Sequence, residues 1–257
     1  MPTELSLSLS AVFAFMLVLA RVSGALIFVP LPGIKSGPEM ARILLALSFT
    51  IALFPNWPHI EASGVTMGQL VGWMLSEAAL GLTIGLAVAF LTEAFLMATQ
   101  IIGLQAGYGY ASTIDPTTQA DSSILQVFAQ LTAGLLFFAM GLDREILRVF
   151  ARSLETYPPG AWIPTRAAAE AIIHLGAGMF SIGLRLALPA VALLVLVDLA
   201  LALLGRINSQ LQLLTLAFPV KMLAALGVLV SMAALFPTMF RAYAGSSFQT
   251  IHMLIRR

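Results

Sequence analysis

Six ionisable side chains lie inside apolar runs of this chain: Arg21, Glu77, Glu93, Arg185, Asp198 and Lys221. A charge at the centre of a bilayer costs about 2.5–3.5 kcal/mol on insertion scales, so six of them facing hydrocarbon is not a stable arrangement. Each must pair, reach the interface, face water or meet another protein. Two chemistries use such groups. Acids and bases that converge at mid-membrane make a proton or ion relay, and the same groups taken in pairs make structural ion pairs. Arg21 and Glu77 are read as lying near helix ends. Asp198 and Lys221 flank the short segment "LGRINSQ", Leu204 to Gln210, and each stands about two or three helical turns from it. A hairpin there brings them to similar depth. They are then an ion pair within the hairpin or between subunits, or the coupling site of a small-solute or ion transporter. The structural reading is preferred, because relays need several converging groups.

Residues for other chemistries are missing. His59, His174 and His252 are far apart and show no H-E-x-x-H spacing, so no metal site is expected. There is no G-x-S-x-G nucleophile elbow and no G-x-x-x-x-G-K-[ST] phosphate loop. The chain has no cysteine, which removes disulfides, thiolate sites and thiol nucleophiles. The "GYGY" at Gly107–Tyr110 differs in order from the T-V-G-Y-G filter of potassium channels. No catalytic, cofactor or metal site is expected, and the chain is read as a non-enzyme. A net charge of +1 gives no field to recruit nucleic acid.

The elements that must hold these charges follow from composition. Of 257 residues, 60% are hydrophobic and 10% charged, with a mean hydropathy of +0.97. Soluble domains carry about 25% charged residues. The surroundings are therefore lipid or a very large protein interface, and the expected fold is all-α, with kinked hydrophobic helices and helical hairpins. Six apolar segments are candidates: Ala11–Val29, Ala41–Phe54, Met67–Ile102, Ile124–Leu142, Ala167–Leu204 and Leu211–Phe236. The first lacks the basic flank of a signal peptide and is read as a retained helix. The third and fifth are too long for straight spans. Gly81 and Gly85 form a small-xxx-small pair that permits close helix contact. Arg144, Arg148 and Arg152, spaced four apart, share one face of an amphipathic helix ended by Pro158, Pro159 and Gly160. That helix is expected at headgroup level, and the tail "SSFQTIHMLIRR" has the same character.

Between the third and fourth segments lies "GLQAGYGYASTIDPTTQADSS", Gly103 to Ser123, with three glycines, a proline, two aspartates and six Ser/Thr. Irregular backbone at membrane depth survives only when buried in protein or lining a water-filled path. The stretch is either that or an ordinary surface loop between spans.

"IGLQAGYGYASTIDP", Ile102 to Pro116, resembles the I-G-L-Q-x-G…A…D-P signature of the FliR family of flagellar type III export-gate proteins. "LARVSGALIFVPLPG…RILLALSFTIALFP" and "LALPAVALLVLVDLALALLGRINSQLQLLTLAFPVK" are similar to the family's N-terminal and C-terminal patterns. A virulence-type secretion counterpart is similar, and the I-D-P form leans to the flagellar member. The resemblance implies a subunit like a fusion of FliP and FliQ, with residues 1–165 FliP-like and 166–257 FliQ-like. It implies one copy in a helical ring with FliP and FliQ, near FlhA and FlhB, in the bacterial inner membrane at the flagellar basal body. The ring encloses a path for unfolded flagellar proteins. In it, residues 103–123 form a pore plug carried by Gly107, Tyr108, Gly109, Tyr110, Ser112, Thr113, Asp115, Pro116 and Thr117. Arg21, Glu93, Arg185, Asp198 and Lys221 face sibling subunits, and Arg206, Asn208 and Gln210 form a hairpin tip towards the cytoplasm. The positive-inside count instead puts both termini in the cytoplasm. The resemblance is preferred, since that rule presumes a conventional bilayer protein. The rivals are the transporter with an Asp198/Lys221 site and a purely structural scaffold.

Overall fold

The computed structural model describes residues 9–29, 39–60, 64–108, 124–158, 160–207 and 213–255. Among them the helices are α1 (Leu9–Leu26), α2 (Glu39–Ala52), α3 (Met67–Ala106), α4 (Ile124–Ala139), α5 (Leu142–Thr156), α6 (Arg166–Ile207), α7 (Leu213–Met232) and α8 (Phe236–Ile255). A short 3-10 turn, Phe54–Asn56, follows α2, and no strand occurs among the described residues. The all-helical expectation holds. α1, α3 and α6 are long and apolar enough to cross a membrane, and α4 with α5 and α7 with α8 pass the same test as broken pairs.

Several boundaries differ from the apolar runs. α3 continues four residues into the polar stretch. Gly107, at φ +85°, ends it: the Tyr108 amide bonds the Gly103 carbonyl at 3.0 Å and the Gly107 amide bonds that of Leu104 at 3.2 Å. These are the two bonds of a Schellman cap, and its left-handed position suits glycine. The fourth segment stops at Ala139, and Gly141 (φ +68°) leads into α5. The sixth stops at Met232, where the chain bends by 64° into α8. Pro237 sits in the first turn of α8, where its missing N–H costs nothing. The tail is thus the continuation of α8, which buries Phe240, Tyr243, Phe248 and Ile251. α6 runs through Pro189 without a break.

The described residues fall into two compact units. Unit 1 draws on Met1–Phe90, Phe137–Gly176 and Gly245–Arg257; unit 2 on Leu91–Leu136 and Ala177–Ala244.

In unit 1, α1 lies directly on the first half of α3. A Cβ on Gly81 would overlap the Arg21 carbonyl, and one on Gly85 the Ala25 carbonyl. Gly24 faces the Ala78 carbonyl in the same way, so two backbones touch where small residues permit it. Leu17, Val18, Val22 and Ala25 fill the contact. α5 packs with Val149 and Phe150 fully buried, while Arg144, Arg148 and Arg152 stay exposed. Its apolar face is therefore covered by protein and not by headgroups, because a 3.6-residue stripe fits either surface. Gly81→Ala should destabilise the purified protein by roughly 1–3 kcal/mol, as overpacking against backbone does. Gly72→Ala in the same helix meets open space and should gain up to about 1 kcal/mol of helix propensity. Thermal midpoints shifting in opposite directions would show the difference; equal shifts would refute the close crossing.

In unit 2, Phe95 sits against Phe240 (5.1 Å between rings) and edge-on to Phe236 (6.1 Å). Leu91, Ala94, Ala190, Leu194 and Ala225 complete the core. In the most apolar window of α6, 22% is buried, against 67% for α3. Phe180, Leu184, Leu188, Leu196 and Leu199 are all exposed.

Candidate functional site

Four of the charges that lie inside apolar runs form two pairs, one in each unit. In unit 1, Arg21 and Glu77 are each 1% exposed. The guanidinium donates from Nε to Glu77 Oε2, from Nη1 to Ser153 Oγ at 2.9 Å and from Nη2 to the Tyr157 carbonyl at 3.3 Å. Glu77 Oε1 accepts the Gly160 amide at 3.2 Å. Local sequence supplies these partners. α5 ends at Thr156, Tyr157 turns extended, and Gly160 adopts φ +74°, so one carbonyl and one amide of the turn remain for the pair. Every group of the pair that needs a partner has one, which is the condition for a buried ion pair to persist. Arg21 and Glu77 are therefore not helix-end charges reaching for the interface. They tie α1, α3 and the end of α5 together, a partnership across 56 residues that no local pattern signals.

In unit 2 the carboxylate of Asp198 on α6 meets Lys221 on α7, with Nζ at 2.9 Å from Oδ1 and 3.1 Å from Oδ2. The lysine side chain is 15% exposed and the aspartate 43%. In water such a pair contributes at most about 1 kcal/mol. On an apolar face the comparison is with an unpaired charge at about 2.5–3.5 kcal/mol, and pairing becomes obligatory.

A third side chain completes this cluster. Gln105, in the last turn of α3, donates from Nε2 to Asp198 Oδ2 at 3.1 Å. Three residues on, the Tyr108 hydroxyl donates to the Met222 carbonyl of α7 at 3.4 Å. Burial raises the Tyr108 phenol above its ordinary value. Between them Gly107 lies flat on Phe218: a Cβ there would come within 2.7 Å of the ring. Gln105 belongs to the I-G-L-Q motif, Asp198 to the apolar run before the hairpin, and Phe218 and Lys221 to the F-P-V-K. Three separated motifs meet at one place.

The other expected site residues are dispersed. Glu93 is half-buried on α3 and is engaged in an interaction of its own. Arg185 is exposed near the middle of α6. Arg206 is exposed in the last turn of α6. Gly109, Tyr110, Ser112, Thr113, Asp115, Pro116, Thr117, Asn208 and Gln210 lie outside the described residues. Gln105 and Glu77 are the members that sequence reasoning left out of the clusters. Gln105 carried a signal, since it is the motif's one long polar side chain.

Known proteins match the stretch of chain that holds both clusters. A family model described as bacterial export proteins, family 1, matches residues 12–246. Flagellar biosynthetic protein FliR of Escherichia coli K12 is 29% identical over 221 residues, covering 86% of this chain and 81% of that protein. FliR of Bacillus subtilis 168 is 27% identical over 220 residues, 84% of this chain and 85% of that protein. Yop proteins translocation protein T of Yersinia pestis is 28% identical over 204 residues, 76% of each. The resemblance to FliR proteins read from Ile102–Pro116 and the C-terminal pattern is borne out. With both charge clusters inside the matched residues, the chain belongs to the bacterial export proteins, family 1, a family of membrane export components and not of enzymes.

Proposed function

We propose that this chain is a subunit of the flagellar type III protein export channel, supplying pore wall and a gating plug for unfolded flagellar proteins. It stands as one copy in a helical ring with FliP and FliQ, near FlhA and FlhB, at the basal body in the bacterial inner membrane. Residues 1–165 take the FliP-like part and 166–257 the FliQ-like hairpin and tail, with Arg206, Asn208 and Gln210 at the tip. The residues from Gly107 to Thr117 are the plug.

The observation that carries this reading is the surface of α6. It is 22% buried over its most apolar window, yet it presents Arg185 and half of Asp198. Hydrocarbon would reject that mixture, whereas the apolar faces and counter-charges of sibling subunits accept it. Arg185 is then a contact to a neighbour. A transporter is less favoured, because Asp198 is already held by Lys221 and Gln105 and no further acid or base among the described residues converges on it.

Co-expression tests the proposal. The tagged chain should be recovered with FliP and FliQ in one complex, and in their absence it should aggregate in mild detergent. A stable, monodisperse monomer that ignores both partners would overturn the assignment.

A further inference from the structure

We propose that Gln105, Tyr108 and the Asp198 carboxylate form a clasp that fixes where the polar stretch leaves α3, with Gln105 and Tyr108 as positioning residues for the export path. The inference rests on the reading that residues beyond Tyr108 close that path.

The geometry supplies three independent fastenings at one point. The Schellman cap sets the backbone direction at Gly107. The ring of Phe218 lies so close that only glycine fits beneath it. The Gln105 amide and the Tyr108 hydroxyl then bond to α6 and α7 respectively, at 3.1 and 3.4 Å. Asp198 Oδ2 is shared: it accepts from Gln105 and from Lys221, both at 3.1 Å. Lys221 thereby neutralises the carboxylate, and Gln105 ties the end of α3 to it. Any displacement of α6 against α7 moves this oxygen and so moves the origin of the stretch. Lys221 balances the charge of the carboxylate to which Gln105 bonds, and the two roles separate by substitution.

Gln105→Leu removes the donor and keeps the ion pair. In cells co-expressing the partners, the complex should be recovered in wild-type amount, and resting ion conductance per complex should rise about tenfold, the factor expected for losing a hydrogen bond to a charged acceptor. Tyr108→Phe should give a smaller rise. Asp198→Asn combined with Lys221→Met removes both charges but leaves a carbonyl acceptor for Gln105, and the conductance of this complex should stay well below that of Gln105→Leu. A merely structural role would lower the yield of complex without changing conductance per complex.

Two results overturn the clasp while leaving the channel reading intact: a Gln105→Leu complex that stays tight while deletion of Tyr110–Gln119 leaks, or an Asp198→Asn/Lys221→Met complex that leaks as much as Gln105→Leu. A deletion complex that assembles and stays tight overturns the channel reading and the clasp together.

Discussion

Cells carrying this chain without Tyr110–Gln119, together with FliP and FliQ, should take up a small dye that cells with the intact chain exclude. The deleted chain should still be recovered with both partners. A path that passes an unfolded polypeptide is wider than a hydrated ion, so it leaks unless something fills it at rest. The composition of the stretch suits that task. Ser112, Thr113, Thr117, Thr118, Ser122 and Ser123 offer hydroxyls that tolerate water. Tyr110 presents a ring that packs on a wall and a hydroxyl that bonds at its tip. Asp115-Pro116 favours a turn over continued helix. A path closed roughly 99 times in 100 and then left open conducts about a hundredfold more. An assembled deletion complex as impermeable as the intact one would reduce the stretch to a linker.

The second large effect belongs to unit 1. Glu77→Gln or Arg21→Met leaves one full charge buried among apolar side chains, and breaking such a pair costs about 3–5 kcal/mol. Against the 5–15 kcal/mol or so that holds a typical fold together, either single change should prevent the chain from accumulating. Replacing both by methionine strands nothing and should restore much of the lost protein. The Gly160 amide and the Ser153 hydroxyl lose a partner in that double variant, so recovery is partial. Ser153→Ala alone should cost roughly 1 kcal/mol, since the Tyr157 carbonyl and Glu77 still hold the guanidinium. Accumulation in membranes, measured by immunoblot beside a co-expressed control, reads all four. A double variant no more abundant than the singles would show that the pair acts through something other than mutual neutralisation.

What the sequence disclosed and what it concealed divide by distance along the chain. The all-helical class followed from composition and from the length of the apolar runs. The Gly81/Gly85 crossing was legible because small-xxx-small spacing is local to one helix. The proximity of Asp198 and Lys221 came from counting turns on either side of one short connection. Arg21 with Glu77 did not yield to such counting. The pair joins residues 56 apart and is completed by Ser153 and Gly160, a further 76 and 83 positions on. Only packing brings these together. The end of α3 was missed for a different reason. Polar residues after Ile102 read as the start of a loop, but Gln105 is polar because it bonds Asp198 from within the helix. The amphipathic stripe of α5 was seen, and its cover was misjudged, since periodicity does not say whether lipid or protein lies opposite.

The interleaving of the two units bears on the order in which a ribosome delivers them. Unit 2 is completed at Ala244, but unit 1 opens with the first segment made and closes with Gly245–Arg257. Ile251 and Phe248 are buried, and Glu145 on α5 lies 3.5 Å from His252. While residues 91–136 and 177–244 fold, α5 must wait for the His252 end of α8 that meets Glu145, and closing so long a loop carries an entropic cost. During synthesis unit 1, begun first, is therefore the last to be completed. That interval is when holding factors or sibling subunits have most to cover.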